Sequence, residues 1–138
     1  MLLFAYAIGD CDRHLKNYSI VSRSGAESGR TTFRLAPAYD LVSTTLYPRY
    51  SRDLAMQIGG AHSIDDVDVG ALFGMAEDLG MSARALAGFA RPIIDRVASA
   101  VEEAAEGDAA CESTAYVAED LIEDMRPRLE VLEAFCHA

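Results

Sequence analysis

Residues 10–44 read DCDRHLKNYSIVSRSGAESGRTTFRLAPAYDLVST, and how this stretch folds back on itself decides the rest. Polar and apolar residues alternate on both sides of a run holding Ser22, Ser24, Gly25, Ser28 and Gly29. That is the pattern of a β-hairpin, with one strand from about Tyr18 to Val21 and a second from about Thr32 to Leu35. Two strands that pair return the chain to its start, so the hairpin brings Asp40 back beside DCDRHLKN at 10–17. Those eight residues carry two aspartates, a histidine, a lysine and an asparagine.

Upstream lies the apolar opening MLLFAYAIG. It has no basic leader and no small-residue cleavage site, and it is far shorter than the roughly 20 residues that a membrane-spanning helix needs. It reads as a buried helix that delivers the 10–17 run to a surface. Downstream, Leu54, Met56 and Ile58 suggest a short strand ended by Gly59 and Gly60. From there apolar residues recur every three or four positions, which predicts three helices. The first runs from about Asp66 to Leu79 and stops at Gly80. The second follows the N-cap Ser82, carries Leu86, Phe89, Ile93, Val97 and Val101 toward the core, bends at Pro92 and ends at Gly107. The third begins near Ser113 and sets Val117, Leu121, Met125, Leu129, Leu132 and Phe135 on one stripe, with Pro127 interrupting its backbone bonding. The expected fold is mainly α with a small β-hairpin: a helical bundle around a loop and hairpin.

With 138 residues, 51% hydrophobic and 25% charged, the chain reads as one soluble domain spanning 1–138. Its net charge of −10 argues against wrapping nucleic acid through average charge, because such binding rests on Lys and Arg neutralising phosphates. Acidic residues dominate from Glu102 to Glu133, whereas residues 13–52 carry Arg13, Lys16, Arg23, Arg30, Arg34, Arg49 and Arg52 against Glu27 and Asp40. An anionic ligand therefore belongs in the first third. Cys11, Cys111 and Cys136 form no C-x-x-C pair, which points away from a disulfide framework or zinc site and toward a reducing cytoplasm. Between two carboxylates, Cys11 is also a poor nucleophile.

Three kinds of chemistry fit residues 10–40. Asp10 and Asp12 resemble the D-x-D opening of haloacid-dehalogenase-type phosphatases, but that motif ends a β-strand and here follows Gly9, with His14 where Thr or Val is usual. Asp10, Asp12, His14 and His62 could hold a metal for hydrolysis, although no local ligand spacing links them. The third uses Asp12 and Asn17, five positions apart, with Asp40 beyond the hairpin. Protein kinases arrange a catalytic base, a magnesium-binding asparagine and a second metal-binding aspartate in this order. Asp10 then falls to a loop-stabilising acceptor.

DRHLKN followed by LAPAYDLVST closely resembles the paired motifs of the HipA-type serine/threonine kinases of bacterial toxin–antitoxin modules, D-x-H-x-K-N and L-[TA]-P-x-Y-D. The resemblance implies a protein-kinase-like C-terminal lobe: catalytic loop 10–17, hairpin 18–35, metal-binding loop 36–45 and helical tail 64–138. It implies Asp12 as general base, Asn17 and Asp40 as magnesium ligands, and His14, Leu15, Lys16, Asn17, Tyr39 and Asp40 as the nucleotide-contacting set. The co-substrate would be ATP and the acceptor a protein hydroxyl. No G-x-G-x-x-G or V-A-I-K pattern occurs, so the N-terminal lobe is expected to be absent and activity to require that it be supplied, the chain reading as a truncated product, a fragment of a longer reading frame or one half of a split kinase with a separate N-terminal lobe as partner. A HipB-like antitoxin is a second expected partner; direct nucleic-acid and membrane contact are not expected. A catalytically inactive remnant or antitoxin-binding module is the alternative from a different class.

Overall fold

The computed structural model describes residues 1–24, 30–107 and 112–138. Helix α1 (Leu2–Ile8) opens the chain, and its Leu3, Ala5, Tyr6, Ala7 and Ile8 are buried. Two separate antiparallel hairpins follow: β1 (Ile20–Ser24) with β2 (Thr31–Leu35), and β3 (Asp53–Ile58) with β4 (Ala61–Ser63). Helices α2 (Val69–Asp78), α3 (Ala83–Glu106) and α4 (Glu112–His137) complete the chain, with α3 and α4 packed along each other and α1 against both.

The expected hairpin is present with Ile20 opposite Leu35 and Ser24 opposite Thr31, so its first strand starts and ends later than the sequence suggests. The turn expected over residues 25–29 lies outside the described residues, as does Cys111. All ten paired positions of β1 and β2 are exposed, so this hairpin stands on the surface rather than entering the core. The second hairpin is larger than expected, because the three-residue β4 is too short to leave a periodic signal. Gly59 and Gly60 make its turn at φ 52° and 88°, in the left-handed region that glycine enters without Cβ strain. A Cβ at Gly59 would lie 1.7 Å from the Ala71 carbonyl oxygen, so the turn seats directly on α2.

Helix starts follow their caps. Asp68 Oδ1 accepts the Ala71 N–H at 2.8 Å, which sets the start of α2 at Val69, after a 3-10 turn at Ile64–Asp66. Ser82 Oγ accepts the Ala85 N–H at 3.2 Å, the expected cap of α3. Both long helices run through their prolines, Pro92 and Pro127. The main core gathers Leu3, Tyr6, Ala7, Cys11, Ile58, Leu72, Met75, Leu86, Leu132 and Phe135, and a smaller cluster joins Ile8, Val97 and Met125. Two expected core residues are outside it: Phe89 is 63% exposed and Val117 is 54% exposed. In each helix the neighbouring alanine, Ala90 or Ala118, takes the buried position instead. A small residue at the contact lets helices approach closely, and the larger side chain one residue away is turned about 100° off that line.

Candidate active site

The 10–17 run is launched by the end of α1. Gly9 adopts φ 78°, its N–H bonds to the Tyr6 carbonyl at 3.1 Å, and the Asp10 N–H reaches back to Ala5 at 2.9 Å. This pair of bonds is a Schellman ending, which satisfies the last carbonyls of the helix and turns the chain sharply outward. A Cβ on Gly9 would stand 1.9 Å from Thr45 Oγ1 and 2.9 Å from an Arg128 guanidinium nitrogen. Glycine is thus required here both for its backbone angle and for space. Arg128, itself buried, donates from Nε to the Ala7 carbonyl and from Nη2 to Asp124, which also accepts from Thr45. These contacts tie α4 to α1 and to the loop after Asp40.

The return loop is held on its other side by Thr44. Its hydroxyl accepts the Cys11 N–H at 2.9 Å and donates to the Gly9 carbonyl at 3.0 Å, while the Thr45 N–H bonds to the same carbonyl. Cys11 itself faces the core, and burial raises its thiol pKa, which agrees with a packing role.

These ties bring Asp12, Asn17 and Asp40 to one cavity of about 410 Å³, whose wall also includes Asp10, Thr44, Tyr47 and Tyr50. Asn17 closes a 3-10 turn at Leu15–Asn17; it is buried, and its Nδ2 donates to the Asp12 carbonyl at 3.4 Å. Asp12 is exposed to the cavity. Asp40 sits at φ 55°, the sole non-glycine residue with positive φ among those described. Such backbone costs on the order of 1 kcal/mol and persists where surrounding contacts enforce it.

The remaining members of the expected set lie elsewhere. His14 is half-buried with Nδ1 unpartnered, and Lys16 is exposed. Leu15, 74% exposed, lines a separate apolar hollow with Tyr18, Met56 and Phe89. The Tyr39 hydroxyl is occupied, donating to the Lys16 carbonyl at 2.9 Å and sharing a 2.7 Å bond with Ser19. His62 is on β4, bonded to Gln57 and apart from the cavity. Asp10 and Asp12 follow a helix, not the strand that a haloacid-dehalogenase opening requires.

Arg13 departs from its sequence reading as a cation available to an anionic ligand. It is 1% exposed, with Nη1 donating to the Tyr39 and Asp40 carbonyls at 2.8 and 3.1 Å and Nη2 to the Asn17 carbonyl at 3.0 Å. Its guanidinium carbon lies 4.8 Å from the Tyr18 ring centroid.

The cavity presents carboxylates from Asp10, Asp12 and Asp40 and an amide from Asn17, an all-oxygen acceptor set of the type that hard cations take. Asp10 is 3% exposed and its Oδ2 has no hydrogen-bond partner. Burial raises its pKa, partly offset by the charge of Arg13 and the Asp12 N–H. Among the described residues no three His, Cys, Asp or Glu side chains are grouped closely enough to hold an ion by themselves.

Residues 1–105 match the HipA-like C-terminal domain family. The chain belongs to that family. "Putative kinase Y4mE" of Sinorhizobium fredii (strain NBRC 101917 / NGR234) is 29% identical over 104 residues, covering 75% of this chain and 23% of that protein. HipA from the Shewanella oneidensis MR-1 toxin–antitoxin complex with HipB and operator DNA superposes with a TM-score of 0.67 at 22% identity, over 99% of this chain and 32% of HipA. The chain thus spans about a quarter to a third of these relatives.

Three features of this HipA-like domain escape a reading of the sequence. Asp10 reads as a loop acceptor, yet its second oxygen is buried at the cavity wall. Tyr47 and Tyr50 also line the cavity, edge to face at 5.8 Å and 79°, and no local signal marks them. Arg13 is the third; its place inside DRHLKN draws attention, but its carbonyl partners depend on the return of the loop.

Proposed function

We propose that this HipA-like domain is the C-terminal catalytic lobe of a protein serine/threonine kinase, transferring the γ-phosphate of ATP to a protein hydroxyl. The observation that carries the reading is the meeting of Asp12, Asn17 and Asp40 at one cavity, from two loops separated by the hairpin. Asp12, exposed to the cavity, would accept the proton of an incoming hydroxyl as its oxygen attacks phosphorus. Asn17 and Asp40 are the residues that would hold magnesium. When bound, magnesium neutralises charge on the phosphates. Asn17 is fixed for this by burial and by its bond to the Asp12 carbonyl, so the base and one metal ligand keep a set separation. A HipB-like protein is the proposed antitoxin partner, on the strength of the HipA structure containing HipB.

Isothermal titration of the 138-residue chain with ATP and magnesium tests the reading. Wild type should bind, and Asp40→Asn should lose at least about tenfold in affinity, the scale of one charge-assisted contact. No binding by either protein, or equal binding by both, would overturn nucleotide recognition by this lobe and favour an inactive remnant.

A further inference from the structure

We propose that Arg13 and Tyr39 form a reciprocal clasp that fixes the spacing between the loop bearing Asp12 and Asn17 and the loop bearing Asp40, making both positioning residues for magnesium-dependent nucleotide binding. This rests on the kinase reading above. The clasp works in both directions. The Arg13 side chain, from the first loop, holds the backbone of the second at the Tyr39 and Asp40 carbonyls. The Tyr39 hydroxyl, from the second loop, holds the backbone of the first at the Lys16 carbonyl and also bonds the Ser19 side-chain hydroxyl. The other guanidinium nitrogen closes the circuit on the Asn17 carbonyl, so one rigid planar group touches the backbones of both proposed metal ligands.

Two features show that the arrangement is held under constraint. Arg13 is buried without an ion pair among the described residues, and its Nε has no partner. Burying a guanidinium with carbonyls and one aromatic ring in place of a carboxylate is costly, so its geometry has to compensate. Second, the Arg13 bonds bracket the one non-glycine residue with positive φ among those described, since the Tyr39 and Asp40 carbonyls flank the Asp40 φ of 55°. The clasp supplies the enforcement that a left-handed aspartate needs. Lysine keeps the charge but cannot present the fork that reaches three carbonyls.

The test pairs hydrogen–deuterium exchange with titration on wild type, Tyr39→Phe and Arg13→Lys. Tyr39 is 40% exposed, so Tyr39→Phe removes its hydroxyl with little risk to folding, which unchanged protection of α3 and α4 verifies. Each variant should speed exchange in both loops, 10–19 and 36–45. Each should also lower the gain in ATP affinity that magnesium confers on wild type by about 3- to 10-fold, the size of one lost hydrogen bond. Loosening confined to the mutated loop overturns the clasp, as does an unchanged magnesium gain when both loops loosen. A wild type that binds no ATP in magnesium overturns nucleotide recognition by this lobe, an outcome distinct from a wild type and variants that bind equally well.

Discussion

Replacing Gly9 by alanine isolates the joint on which the candidate site turns. Two costs add. Alanine at φ 78° carries about 1–2 kcal/mol of left-handed strain. The new methyl would stand 1.9 Å from Thr45 Oγ1, so Thr45 or the helix end must move by more than an ångström, an overpacking cost of about 1–3 kcal/mol. The expected loss is about 2–5 kcal/mol, large beside a total stability of about 5–15 kcal/mol. Gly60→Ala is the internal control, because Gly60 has a similar φ of 88° and nothing within 4 Å of its Cβ position. It should show the strain alone, about 1–2 kcal/mol. Urea unfolding followed by circular dichroism, with m-values compared, separates the two variants. The reasoning fails if Gly9→Ala is no less stable than Gly60→Ala, for then the contact among Gly9, Thr45 and Arg128 is not tight.

Asp10→Asn should stabilise the domain at neutral pH. Burial raises the pKa of Asp10 above its ordinary 3.8, so protonated Asp10 favours the fold below that value, and this contribution is lost as pH rises through the raised folded pKa. The gain from asparagine should therefore appear above that window and vanish below it in urea melts taken across pH; a gain independent of pH would refute the assignment. Arg128→Met should cost about 3 kcal/mol, because Asp124 loses its cationic partner, keeping only the Thr45 hydroxyl, and the Ala7 carbonyl loses a donor. Pairing it with Asp124→Asn should recover part of that loss in a double-mutant cycle, and strict additivity would show that the two side chains are not coupled.

Much of this domain is local and therefore legible in one dimension. The hairpin, the cap at Ser82 and the helices follow from alternation, capping chemistry and spacing of three to four residues, each set by neighbours along the chain. The spacing of Asp12, Asn17 and Asp40 was legible for the same reason, since a hairpin between them returns the chain whatever surrounds it. The tertiary structure decided what depends on distant partners. Phe89 and Val117 sit on apolar stripes, but which member of a stripe is buried depends on how closely the facing helix approaches. Asp10 and Arg13 are ordinary charged residues in sequence, and they become a buried carboxylate with one unpartnered oxygen and a loop-bridging guanidinium only in the assembled fold, where the chain between Tyr39 and Thr45 returns beside them. Burial and hydrogen-bond partners are properties of the assembled surface, and spacing along a chain carries neither.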